Sequence, residues 1–117
     1  MSAQPIETPP PWSFWQAGDN RLAVQTVIDG TGLPAPALVA RADAVHVNVT
    51  STEDLAHWLY ELGGEVRRGI PLDDVSVWTL RTQTPARGTR PPVAIRVHCP
   101  VVTGEEVVSE LRSVVVS

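Results

Sequence analysis

Between Thr50 and Gly64 lies the segment that most constrains how this chain can fold. Leu55, Trp58, Leu59 and Leu62 recur at i, i+3, i+4 and i+7, the spacing of one buried helical stripe. Thr50 with Glu53 has the form of a capping box, and Ser51 and Thr52 are alternative caps. Glu53 and Asp54 suit the positive end of the helix dipole, and Gly63-Gly64 supplies a left-handed stop. A helix with one such stripe must lay it on another element.

The flanking sequence offers strands. In Ala44–Thr50, Val45, Val47 and Val49 alternate with His46 and Asn48, and in Val93–Cys99, Val93, Ile95, Val97 and Cys99 alternate with Ala94, Arg96 and His98. Val75–Thr82 is apolar on both faces, with Val75 and Val77 against Trp78 and Leu80. The alternation of Leu22, Val24 and Ile28 predicts a further strand over Arg21–Ile28, and Glu65–Gly69 a short one. Pro100 is expected to end the strand before it. Thr103 and Glu106 then open a second helix whose buried face uses Val107, Val108, Leu111 and Val115, fraying over β-branched Val114–Val116.

The expected fold is α+β: a four-stranded antiparallel or mixed sheet, order β-β-α-β-β-α, with two helices on one face. Ala44-Val45-His46-Val47 aligns with Ala94-Ile95-Arg96-Val97, which suggests a duplicated ββα unit. Residues 1–20, with Pro5, Pro9, Pro10 and Pro11 before Trp12, Phe14 and Trp15, read as an extended arm whose aromatics dock on this domain or on a second subunit. Residues 21–117 make one domain, since 117 residues leave no room for a second core.

Composition narrows the function classes. A net charge of −4 disfavours a general nucleic-acid binder. No apolar run approaches the ~20 residues of a membrane helix, and the N-terminus lacks a signal-like apolar stretch. With Cys99 as the single cysteine, a cytoplasmic location is expected. All basic residues are arginine, which with abundant Val, Ala, Pro and Gly is the coding bias of a GC-rich genome, such as an actinobacterium or one of its phages.

Candidate chemistry is sparse. His46 and His98 would share a face and meet if their strands are neighbours, but further metal ligands are not evident, so no metal or cofactor is expected. Cys99 reads as a buried hydrophobe, Asp73-Asp74 as a turn, Glu105-Glu106 as a helix start, and Asp29-Gly30-Thr31-Gly32 as a turn without the lysine and helix of a phosphate loop. Arg81, Arg87, Arg90 and Arg96 occur with no acid between Asp74 and Glu105, which predicts a basic hairpin able to grip phosphate or carboxylate.

The uncovered sheet face would carry Ala23, Gln25, His46, Asn48, Trp78 or Val77, Arg96 and His98. These features favour a non-enzymatic interaction or regulatory module. It is expected to be a homodimer that also meets another protein, with contacts through Trp12, Trp15, Trp78, His46 and Arg96. The alternatives are a nucleic-acid or phosphate-binding accessory protein acting through the arginine hairpin, and a small-molecule-binding domain.

Overall fold

The computed structural model describes residues 11–104, Val107, Leu111 and Val115–Val116. It is a mixed α+β fold. Helix α1 (Pro11–Thr31) precedes strands β1 (Ala37–Ala40) and β2 (Val45–Asn48), then helix α2 (Thr52–Leu62). Strands β3 (Glu65–Arg68), β4 (Val75–Gln83), β5 (Ala94–Val102) and the two-residue β6 (Val115–Val116) follow. The sheet order is β1-β2-β5-β4-β3-β6. β2 joins β5 in parallel, β6 joins β3 in parallel, and the remaining pairs are antiparallel.

α2 forms where its stripe and caps place it. Ser51 is the N-cap, its Oγ accepting from the Asp54 amide at 3.2 Å, so the cap falls one residue after Thr50. Leu55 and Trp58 are fully buried, and the Trp58 indole donates to the Pro34 carbonyl at 2.7 Å, which satisfies its one polar atom. At the other end Gly63 takes φ 71° and its amide donates to the Leu59 carbonyl.

α1 corrects the reading of the N-terminal third. The residues from Pro11 onward are helical, so the expected boundary between arm and domain at residue 20 falls inside a helix, and the expected strand at Arg21–Ile28 is its second half. Residues 1–10 of the expected arm lie outside the described residues. Pro11 opens the helix at the position where a missing amide proton costs nothing. Its buried residues, Asn20, Val24 and Val27, keep a helical spacing with a polar member, and Ser13, Ala17, Ala23, Gln25 and Ile28 are half-buried. Asn20, 4% exposed, donates from Nδ2 to the Arg41 and Ala42 carbonyls and pins α1 to the turn between β1 and β2. Exposed Phe14, Trp15 and Leu22 leave the helix without a clean polar face, which is why its period resembles a strand. Asp29, Gly30 and Thr31 are its last turn, and Gly32 at φ 71° ends it.

The sheet has more strands than the four expected. β1, which follows Pro34 and Pro36, is a strand the alternation did not predict, and it pairs with β2. Val115–Val116, assigned to a second helix, is strand instead, as β-branched side chains prefer. Most of that expected helix lies outside the described residues, although Leu111 is fully buried and Val107 packs on the core. β5 runs through Pro100 because β2 has stopped: Val49 donates to the His98 carbonyl, and Pro100 pairs only with Val77. The suspected duplication dissolves with the strand at 21–28. The two matching tetrads are neighbours, with Val45 beside Ile95 and His46 beside Arg96, and strands side by side on one face share lettering.

One face of the sheet builds the core. Val45, Val47, Val66, Trp78, Leu80, Ile95, Val97 and Cys99 meet Val24, Val27, Leu55 and Trp58, so α1 and α2 cover the same face. Trp78 belongs to this side: it is 6% exposed and donates to Ser76 Oγ. It is therefore not on the uncovered face, and Val77 takes that place. Asp73 and Asp74 form the β-turn residues before β4, both at positive φ.

The glycine pair after α2 offers a sharp contrast. Gly63→Ala meets open space and carries only the backbone cost of its conformation, ~1–3 kcal/mol. At Gly64, φ 116°, a Cβ would collide with the Arg81 carbonyl oxygen, a backbone atom held in the sheet. Urea unfolding should therefore show Gly64→Ala as clearly the more destabilising; equal losses would contradict the close approach.

Candidate functional site

The face of the sheet away from the helices carries the polar residues that alternate with the core. The register places them in rows. Val39, His46, Arg96, Arg81 and Glu65 stand side by side across β1, β2, β5, β4 and β3. Asn48, His98, Thr79 and Arg67 form the next row across β2, β5, β4 and β3. Beyond them Val77 opposes Pro100 and Val75 opposes Val102, and these three valines are exposed.

Three strands converge on one hydrogen-bonded chain. His46 Nδ1 lies 3.0 Å from His98 Nε2, and His98 Nδ1 lies 2.9 Å from Thr79 Oγ1. The two imidazoles are nearly coplanar, with planes 8° apart and centroids 5.3 Å apart, and meet edge to edge. Each contact needs one proton between its atoms, so the neutral chain has two complementary arrangements that differ in whether His46 Nε2 carries hydrogen or a lone pair. One added proton is accommodated: His98 then donates to both Thr79 Oγ1 and His46 Nδ1. A second proton puts hydrogen on both facing nitrogens and breaks the bond.

Electrostatics oppose even the first. Burial holds the His98 pKa below its ordinary 6.5, with His46 and Arg96 adding repulsion. Among the described residues no group of three or more His, Cys, Asp and Glu side chains is placed to hold a metal ion. The face is otherwise basic. Arg67 pairs with Glu65 at 2.6 Å, whereas Arg81 and Arg96 face each other across β4 and β5. Arg96 donates to the Ile95 carbonyl at 3.1 Å. Acidic residues stand on the helices and at turns instead: Asp19 and Asp29 on α1, Glu53, Asp54 and Glu61 on α2, and Asp73-Asp74 before β4.

The expected sites are thus brought together only in part. His46, His98 and Arg96 meet. Trp78 is in the core, and Ala23 and Gln25 are on α1. Trp12 lies in the first turn of α1, with its side chain outside the described residues. Trp15 is 76% exposed on α1, across the sheet from His46, so one flat contact cannot use both. The basic hairpin separates into two pairs. Arg81 and Arg96 lie on the open face, while Arg87 and Arg90, joined by a turn in which the Arg90 amide donates to the Arg87 carbonyl at 3.0 Å, line a groove of about 480 Å³ against α1. Leu22, Thr26, Pro85 and Pro92 share that groove. Sequence reading missed Thr79 and the groove. A threonine directly opposite His98 on the neighbouring strand is a signal only once the register is known.

The chain matches no family model, no curated protein and no solved structure. Among the described residues no helix is long and apolar enough to cross a membrane.

A His98 pKa below the unfolded value gives stability that is complete above about pH 6.5 and is lost as pH falls toward the lowered value. The urea midpoint should therefore drop between about pH 7.5 and about pH 5.5, and His98→Gln should flatten that slope. Parallel slopes in both proteins would contradict the assignment.

Proposed function

We propose that this chain is a non-enzymatic protein-binding module whose open sheet face receives an acidic partner. The observation that carries the reading is a local charge bias in a chain of net charge −4: Arg67, Arg81, Arg96, His46 and His98 share one sheet face with one carboxylate among the described residues, Glu65, which Arg67 pairs, while the other described carboxylates lie on the helices and turns. Such a face attracts an acidic surface and steers its approach. The exposed valines 75, 77 and 102 beside it supply the apolar contact that arginine-rich interfaces combine with charge. Two copies of this face would set Arg81 and Arg96 against their own repeats, so self-pairing is disfavoured there.

The probe is an oligoglutamate peptide titrated into the ¹⁵N-labelled chain. Amide shifts should cluster at His46, Asn48, Thr79 and Arg96 and weaken with salt. Shifts confined to α1 and α2, or none at low salt, would retire the reading.

Self-association is a second reading, carried by a different surface. Phe14, Trp15 and Leu22 are exposed on α1, and Leu22 also lines the groove shared with Pro85, Pro92, Arg87 and Arg90, which offers a second copy's aromatics both proline and guanidinium surfaces. Light scattering after size exclusion should show a dimer that Trp15→Ser with Leu22→Ser dissociates. A strict monomer at high micromolar concentration would remove it.

A further inference from the structure

We infer that Arg81 and Arg96 form a binding site for a phosphoryl group, either as free phosphate or on a small ester. This assignment rests on the reading of the open face as a binding surface and gives one part of it a ligand class. The two guanidinium-bearing residues are direct cross-strand partners in the longest strand pair of the sheet. Like charges placed directly opposite destabilise a sheet. Neither arginine has an ion pair among the described residues, because the nearest carboxylate in the register, Glu65 beside Arg81, is held by Arg67.

Geometry adds a receptacle. A hollow of about 380 Å³ is lined by Arg81, Arg96, Gln83, Thr82, Leu62 and Gly64. Gly64 leaves this wall without a side chain, and its backbone lies against the Arg81 carbonyl. Gln83 brings an amide donor to the same wall. Arg96 spends one N–H on the Ile95 carbonyl, and a guanidinium has five. A phosphate ester carries a charge of about −1.5 to −2 at neutral pH and three acceptor oxygens, which matches two guanidiniums better than a single carboxylate does. Occupation would cancel the repulsion that the bare pair sustains.

Phosphate titration of the full chain, at constant ionic strength with chloride and acetate as controls, tests this. Saturable amide shifts at Arg81, Gln83 and Arg96, with Kd of order 1 mM, are expected. Arg81→Gln should weaken binding by about tenfold or more, the effect of losing one charge-assisted contact. The same variant without phosphate should melt no lower than the parent, since a repulsion has gone, which separates lost binding from lost folding. Arg96→Gln provides an independent second variant. Phosphoserine and glycerol phosphate in place of phosphate distinguish an ester from the free ion. Shifts no larger than those of chloride, or undiminished in both variants, would overturn the site. If oligoglutamate perturbs the face while phosphate does not, the phosphoryl assignment fails and the acidic-partner reading stands; if neither does, both fail.

Discussion

The fold depends on β5 lying between β2 and β4. Its nine-residue antiparallel pairing with β4 fixes which side chains share a row, and its parallel pairing with β2 carries that register to the sheet edge. A shift of one residue in either ladder would turn Ile95, Val97 and Cys99 out of the core and put Arg96 and His98 beneath the helices. Burying a guanidinium and an imidazole there, unpaired, would cost far more than the loss of any one contact. The apolar alternation of β5 therefore specifies the chemistry of the opposite face: once Val97 is inside, His98 is outside and beside Thr79, and the β2 register brings His46 onto it.

The core side and the open side then obey different economies of contact. Beneath α1 and α2, polar atoms are few and paired: Asn20 to two carbonyls, Trp58 to Pro34, Trp78 to Ser76, and Thr84 to the Val93 amide. Among the described residues no buried side-chain nitrogen or oxygen lacks a partner. On the open side, Arg81 faces Arg96, an arrangement that folding alone does not favour. Such local conflicts with stability are where binding is sought.

What the sequence discloses depends on how cleanly each element separates its faces. α2 and β5 were legible because Leu55, Trp58, Leu59 and Leu62 on one and Ile95, Val97 and Cys99 on the other keep strict periods. α1 was not, since buried Asn20 interrupts its stripe and exposed Trp15 and Leu22 blur it, leaving Leu22, Val24 and Ile28 to imitate a strand. β1 was hidden because Pro34 and Pro36 stand immediately before it. Of the site, the common face of His46, Arg96 and His98 followed from alternation alone. Their adjacency, the inclusion of Thr79 and the burial of Trp78 required the strand order, which no local period encodes. Sequence proximity did put Arg81, Arg87, Arg90 and Arg96 on one antiparallel hairpin, β4–β5, but not on one surface, because the turn at Arg87–Arg90 brings its arginines beside α1.

The most direct test is nuclear magnetic resonance of the imidazole rings across a pH series. The account predicts magnetisation transfer between His46 and His98, a hydrogen bond joining His46 Nδ1 to His98 Nε2, and titration of His98 below the ordinary imidazole value. Rings without mutual contact, with His98 titrating at that ordinary value, would contradict the β2–β5 register and the open face built on it.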